Sequence, residues 1–240
     1  MRNSASDPGN SVAAGGIIWV CAVQFFVAQG VVQSRWTTPF SLATNYISDL
    51  GNTTCGPYPA LGGPYVCSPW HTLMNVSFVL QGIIVLAGVV LARSALAGVR
   101  TGLPALILFA LTAVGMAGVG LFPEDVNNRA HVISAGVQFI TSNAAMILCG
   151  IAANRVRRRN TFAAFSTTLG VTGLLATVLF AQGYGLRLGV GGMERIAAYT
   201  LPVWLITTGI LLATKRASSI LPDRPFDRVA GGMARSRNTS

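Results

Sequence analysis

The chain has 240 residues, of which 52% are hydrophobic and 10% are charged, and its mean hydropathy is +0.57. This composition excludes an ordinary soluble domain. The formal net charge of +10 could suggest nucleic-acid binding. However, the basic residues sort by predicted membrane side, so no nucleic-acid partner is expected.

Six apolar blocks, each about twenty residues long, follow one another along the chain. A helix of this length rises about 1.5 Å per residue and crosses a hydrocarbon core of about 30 Å. Backbone polar groups must be bonded internally in lipid, so helices are predicted. The blocks cover residues 12–34, 70–93, 102–121, 130–154, 162–185 and 195–214. The sequence therefore predicts an all-α, polytopic transmembrane bundle over residues 12–214.

The first block also has the length of a signal-peptide core, and residues 32–34 loosely resemble a cleavage site. Arg2 is the only base that precedes it, and Gln24 and Gln29 interrupt the apolar run. An uncleaved anchor is therefore favoured over cleavage.

The basic residues predict the orientation. With a cytoplasmic N-terminus, 13 of the 17 Lys and Arg residues lie inside, and the outer four are Arg35, Arg129, Arg187 and Arg195. This distribution obeys the positive-inside rule. It predicts a multi-pass cell-membrane protein with cytoplasmic tails at residues 1–11 and 215–240, the second of them basic and disordered. Abundant Ala and Gly, and Arg in place of Lys, suggest a bacterial inner membrane.

Residues 35–69 form the only long outer segment, and loops of this length are usually functional or cover a site. Cys55 and Cys67 both lie in it, on the oxidising side. A disulfide between them, worth about 3 kcal/mol, is favoured. Two free thiols or a metal pair are the alternatives.

Acidic residues and histidines concentrate on the predicted outer side, although topology does not require this. Outside the tails, the acidic residues and histidines are Asp49, His71, Glu124, Asp125, His131 and Glu194. Polar residues also run down the fourth predicted helix on one face, within about 80° of arc: His131, Ser134, Gln138 and Ser142. We expect an outward-facing polar pocket. His71 is expected to be solvent-exposed at a helix end and to take no part in the pocket.

The candidate residues do not form a familiar metal or catalytic motif. Two histidines without HxxxH, HExxH or CxxC spacing are an incomplete ligand set, so no metal and no cofactor are expected. A catalytic set of Ser48 with a histidine and an aspartate is possible, but it lacks the nucleophile-elbow context.

Four short motifs, in this order, resemble an uncharacterised family of prokaryotic six-helix membrane proteins known as domain of unknown function 998. They are Ser48-Asp49-Leu50-Gly51; Ser68-Pro69 with Asn75 and Gly82; Phe122-Pro123-Glu124-Asp125 with His131; and Gly192-Met193-Glu194-Arg195-Ile196 with Trp204. The resemblance covers about residues 15–215. It implies the bundle and the outer polar cluster, but no established reaction.

Two hypotheses follow. In the first, the pocket binds a membrane-lipid head group or an envelope partner, with Arg195 pairing with phosphate. In the second, the protein is an enzyme acting on a lipid or envelope precursor, with His131 as acid/base beside Asp125 and with Asp49 as a further catalytic candidate. A transporter is less favoured, because charged residues are lacking at the membrane midplane. The predicted ligand-binding residues are Ser48, Asp49, Asn75, Glu124, Asp125, His131 and Arg195.

Overall fold

The computed structural model describes residues 8–58, 64–95, 100–156 and 160–214. The predicted disordered tail at 215–240 and the first seven residues of the N-terminal tail lie outside the described residues.

Six helical segments are long and apolar enough to cross a membrane, which confirms the predicted all-α, six-helix bundle. The first segment consists of two helices joined by a 3-10 turn at Cys21–Val23, and the second is a helix that ends in a 3-10 turn at Arg93–Ala95. The helices are α1 Pro8–Val20, α2 Gln24–Ser34, α3 His71–Ala92, α4 Gly102–Leu121, α5 Glu124–Val156, α6 Thr161–Ala181 and α7 Gly189–Ala213. A short antiparallel hairpin, β1 Gly56–Pro57 with β2 Tyr65–Val66, lies in the long loop.

The start of α5 agrees with the prediction once its break is taken into account. Asn127 has non-helical angles, φ −146° and ψ 78°. Its Oδ1 accepts a hydrogen bond from the Ala130 amide at 3.1 Å, as an N-cap side chain does. The membrane-crossing part of α5 therefore follows this cap, close to the predicted start at residue 130.

The start of α7 differs from the prediction. The helix begins at Gly189, whose φ of +75° turns the chain out of the preceding loop. As a result, Glu194 and Arg195 lie inside a helix and are 3% and 7% exposed. The prediction had placed both residues at a helix end.

The helices form a closed ring in chain order. Each transmembrane segment packs against the next one, and α7 packs against α1. Small residues allow the closure: a Cβ on Gly16 of α1 would come within 2.7 Å of the Gly209 carbonyl oxygen of α7. Buried polar side chains bond between neighbouring helices, as Thr112 does with Thr141 at 2.8 Å.

An aromatic cluster fills the half of the ring opposite the long loop. The Trp204 ring lies 5.1 Å from Phe109, 5.5 Å from Trp19 and 6.2 Å from Phe162 between centroids. Its indole N–H donates to Ser166 Oγ at 2.8 Å, so its polar atom is satisfied away from water. This half of the ring is therefore packed with aromatic side chains.

The long loop contains the predicted disulfide. Cys55 and Cys67 are bonded, with an S–S distance of 2.01 Å. Cys55 directly precedes β1 and Cys67 directly follows β2, so the bond joins the two ends of the hairpin.

Trp204→Ala should destabilise the bundle by about 3 kcal/mol, because the ring contacts are lost and a cavity remains. Thermal unfolding in detergent would measure this. Leu175→Ala is the matched control, since Leu175 is 61% exposed on the predicted lipid-facing surface. Equal melting temperatures for the two variants would contradict the role of the aromatic cluster.

Candidate functional site

Part of the long loop folds back into the mouth of the ring. We call residues 45–54 the plug. Asp49 is 2% exposed and Leu50 is fully buried, and Leu50 belongs to an apolar cluster that includes Phe25 and Phe78. Loops usually run over a protein surface, since their backbone polar groups need water. The outward-facing pocket expected from the sequence is therefore occupied by the chain itself.

Side chains from the surrounding elements replace water for the plug backbone. Asn75 Nδ2 of α3 donates to the Gly51 carbonyl at 2.8 Å. Ser68 Oγ, just before α3, donates to the Leu50 carbonyl at 2.7 Å. Buried backbone groups need such partners. Asn75, predicted to bind a ligand, thus binds the plug.

Asp125 anchors the far end of the plug. Its Oδ2 accepts the amide N–H groups of Thr53 and Thr54 at 2.8 and 2.9 Å. It also accepts their hydroxyl groups at 2.9 and 3.0 Å. This carboxylate therefore accepts hydrogen bonds from the plug and does not bond to His131, the partner expected from the sequence.

Glu194 holds the first part of the plug from α7. Its Oε2 accepts the Ile47 amide, and its Oε1 accepts the Ser48 amide at 3.4 Å and the Ser48 hydroxyl at 3.0 Å. Sequence reasoning placed Glu194 in the outer acidic cluster but left it out of the site. Its position inside the motif at residues 192–196 was the signal that could have included it.

His131 completes a line of hydrogen bonds across the mouth. Its Nε2 lies 3.0 Å from Ser48 Oγ, and its Nδ1 lies 2.9 Å from the Phe122 carbonyl oxygen. Glu194, Ser48 and His131 therefore join α7, the plug and α5. The hydroxyl lies between the acid and the imidazole, whereas a catalytic triad has the imidazole in the middle.

Asp49 and Glu124 form a buried carboxyl pair. The Glu124 carboxyl hydrogen-bonds the Asp49 carboxyl, which requires one proton between the two groups. Asp49 also accepts the Tyr46 amide at 2.8 Å and Asn45 Nδ2 at 3.3 Å. Burial raises the pKa of Asp49 above its ordinary value, although these hydrogen bonds and the positive charge of Arg195 oppose the shift.

Tyr58 lies over this pair. Its hydroxyl donates to the Glu124 carbonyl oxygen at 3.0 Å. Burial, helped by the carboxyl groups of Glu124 and Asp125, raises the pKa of Tyr58 to about 12. The loop end of the ring therefore disfavours further negative charge.

One edge of the Arg195 guanidinium donates hydrogen bonds to the long loop. Its Nη1 donates to the carbonyls of Leu42, Asn45 and Gly191 at 3.1, 2.7 and 2.8 Å, and the guanidinium carbon lies 5.6 Å from the Phe40 ring centroid. Its Nε and Nη2 are buried and have no hydrogen-bond partner in the described part of the chain. The second edge is therefore free.

A groove of about 650 Å³ opens beside Arg195, between α6 and α7. We call it the lateral groove. Its walls are largely apolar, with Arg195 and Arg187 as its basic residues. Other lining residues are Leu42 and Ala43 of the loop, Leu169 and Thr172 of α6, and Ile196, Tyr199 and Val203 of α7.

A second, enclosed cavity of about 30 Å³ lies beneath the plug. Ser48, Glu194 and Gln138 line it together with apolar side chains. It has room for about one or two water molecules.

The structure thus distributes the predicted site residues over several contacts. Ser48 meets His131, and Asp49 meets Glu124, but Asp49, Asp125 and His131 do not share one bonding partner. His71 bonds the nearby Ser68 carbonyl at 2.9 Å, which is a local contact at the start of α3. Within the described ranges, no three potential metal-ligating side chains lie together.

Asp125→Ala should release the far end of the plug. It removes the acceptor of four hydrogen bonds from Thr53 and Thr54. Hydrogen exchange at these two amides should become roughly tenfold faster or more, since a hydrogen bond to a charged group is worth about 1.5–3 kcal/mol. The amides of α4 serve as an internal control, and unchanged exchange at residues 53 and 54 would contradict the anchoring role.

Raising the pH should destabilise the fold through Asp49. The raised pKa means that the folded state keeps this proton to a higher pH than the unfolded state, whose value is near 3.8. The stabilisation is complete below that value and is lost as the pH rises through the raised pKa. Asp49→Asn cannot ionise. The Tm of the unmodified protein in detergent should therefore fall relative to that of D49N as the pH rises above about 4. A constant difference would contradict this account.

Comparison with curated proteins gives no match, and comparison with solved structures gives none. A family model described as "Protein of unknown function (DUF998)" matches residues 19–211, which include all six transmembrane segments at least in part. The match contains the plug, the residues that hold it and the lateral groove. The chain is an integral membrane protein and belongs to this uncharacterised family.

Proposed function

We propose that the protein binds an anionic lipid in the lateral groove, with the phosphate at Arg195 and an acyl chain along α6 and α7. The observation that carries the proposal is the free edge of Arg195. This side chain is 7% exposed, it lines the groove, and its Nε and Nη2 lack partners among the described residues.

The chemistry of that edge favours an oxyanion. Nε and Nη2 are adjacent donors of a planar fork, which matches two oxygens of a phosphate or carboxylate. A guanidinium with unpaired N–H groups inside a membrane bundle is costly. An anionic head group would satisfy both donors once the side chains that bury them shift to admit it.

The shape and composition of the groove fit an amphiphile. Its volume of about 650 Å³ is in the usual range for small-molecule sites. Leu169, Ile196 and Val203 offer an apolar wall along the helices, while Arg187 adds a second positive charge. In the predicted orientation, the charged end of the groove faces the outer leaflet.

Enzymatic action on a lipid or envelope precursor is the second candidate. The contact of 3.0 Å between Ser48 Oγ and His131 Nε2 favours it. However, the adjacent cavity of about 30 Å³ is too small for such a substrate, so the plug would have to move first. Binding in the groove leaves the plug in place and requires only that the side chains covering the second edge of Arg195 shift.

Native mass spectrometry can test lipid binding with protein taken from bilayers containing phosphatidylglycerol and phosphatidylcholine. We expect bound phosphatidylglycerol. Arg195→Lys keeps the charge but loses the fork, and Val203→Trp fills the groove without removing a basic residue. Each should reduce occupancy by roughly tenfold, as expected for losing one charge-assisted contact.

Leu175→Trp is the matched control for Val203→Trp, since it adds the same ring to an exposed position of α6 outside the groove. It should leave binding unchanged. Binding that survives Val203→Trp but is lost in Arg195→Lys would point to a head group or soluble envelope ligand without a groove-bound chain. Equal binding in all variants would overturn the proposal.

A further inference from the structure

We propose that Glu194, Ser48 and His131 form a one-proton latch that holds the plug in the mouth of the ring, and that removal of this proton releases the plug. The proposal rests on the geometry of the three side chains and is independent of what the lateral groove binds.

Counting hydrogens shows that the line needs an added proton. The Phe122 carbonyl oxygen can only accept, so His131 Nδ1 carries a hydrogen. Each of the two 3.0 Å contacts of Ser48 Oγ, to Glu194 Oε1 and to His131 Nε2, needs one hydrogen. The Ser48 hydroxyl supplies only one of them. The other must be carried by Glu194 or by Nε2.

The two possible arrangements have the same number of protons and the same net charge. In one, a neutral Glu194 donates to Ser48, which donates to a neutral His131. In the other, a positive His131 donates to Ser48, which donates to a negative Glu194. Moving one hydrogen at each contact converts the first form into the second, so the hydroxyl relays the proton.

Loss of the added proton breaks the line. Ser48 then donates to only one neighbour, and two acceptors face each other at the second contact. The three side chains then carry one additional negative charge, and Glu194 is only 3% exposed to solvent. An unpaired charge in such surroundings is strongly disfavoured.

The charged and titratable neighbours mostly oppose this ionisation. Asp49 and Tyr46 of the plug and Glu124 of α5 lie within electrostatic range of Glu194, while Arg195 of α7 favours its charged form. Asp125 of α5 is the acidic neighbour of His131. The helices α2, α3 and α4 contribute Phe25, Phe78, Met116 and Val119 to the adjoining cavity.

The Glu194 carboxyl also accepts the Ile47 and Ser48 amides, so the seated plug is what keeps this carboxyl buried. These bonds by themselves favour the charged form. The plug is released because the unseated state gives the new charge access to water, and because the contact between Ser48 and His131 is already lost. The Asp125 anchor at Thr53 and Thr54 is separate. Releasing the latch should therefore free residues 46–50 while the far end of the plug stays attached.

Hydrogen exchange of the full-length protein in detergent tests this, with protection factors corrected for the intrinsic effect of pH. Between about pH 5 and pH 10, protection of the Ile47 and Ser48 amides should fall roughly tenfold to a hundredfold, as expected when amides leave buried hydrogen bonds for water. Protection at Thr53 and Thr54 should change much less. A parallel fall at all four amides, or no fall at residues 47 and 48, would overturn the latch.

Glu194→Gln is the decisive variant, because its amide imitates the protonated acid: Nε2 donates to Ser48 and Oε1 accepts from the Ile47 amide. Because Asp49 of the plug also titrates in this range, the comparison is made between D49N and the double variant D49N/E194Q. The double variant should keep the Ile47 amide protected across the pH range, and persistence of the pH-dependent fall in it would overturn the proposal. If E194Q does not fold, infrared difference spectra of the unmodified protein give the answer: a shift in the carboxyl or imidazolium bands must accompany the loss of protection at Ile47, and its absence would count against the latch.

Discussion

Burial of the plug is the constraint on which the loop end of this protein depends. A backbone segment removed from water must find a partner for its N–H and C=O groups, or the fold loses stability at each unpaired group. Three side chains from three different helices bond to the plug backbone: Glu194, Asp125 and Asn75. The outer cluster of polar residues, which topology leaves unexplained, is therefore largely a set of partners for residues 45–54.

Hydropathy was sufficient to predict the membrane segments, because lipid allows few alternatives to a long apolar helix. The start of α7 was missed for a local reason. Residues 189–194 contain three glycines, which favour loops over helices. The helix extends through them because Gly191 packs against the loop, with its amide bonded to the Ala43 carbonyl at 2.9 Å. That contact depends on how the long loop folds, which hydropathy does not report.

The same dependence explains why the site residues were predicted as a group but their partners were not. Ser48 is separated from His131 by 83 positions and from Glu194 by 146. Their polar or charged character and their predicted position on the outer side of the membrane suggested that these residues lie at one end of the bundle. Only the insertion of the plug determines that Ser48 lies between the acid and the imidazole, and that Asp125 is used on Thr53 and Thr54. Pairing by residue type, such as histidine with aspartate, could not reveal this.

Arg195 connects the plug with the lateral groove, because its side chain bonds the Asn45 carbonyl of the plug and also lines the groove. Nη1 donates to the carbonyls of Leu42 and Asn45, while Nε and Nη2 are buried without a partner among the described residues. A ligand that repositions this guanidinium must alter the contacts of the loop, and a displaced loop must alter the groove wall formed by Leu42 and Ala43. Such coupling is reciprocal by thermodynamic necessity. If an anion binds more tightly while the plug is seated, then it stabilises the seated plug by the same factor.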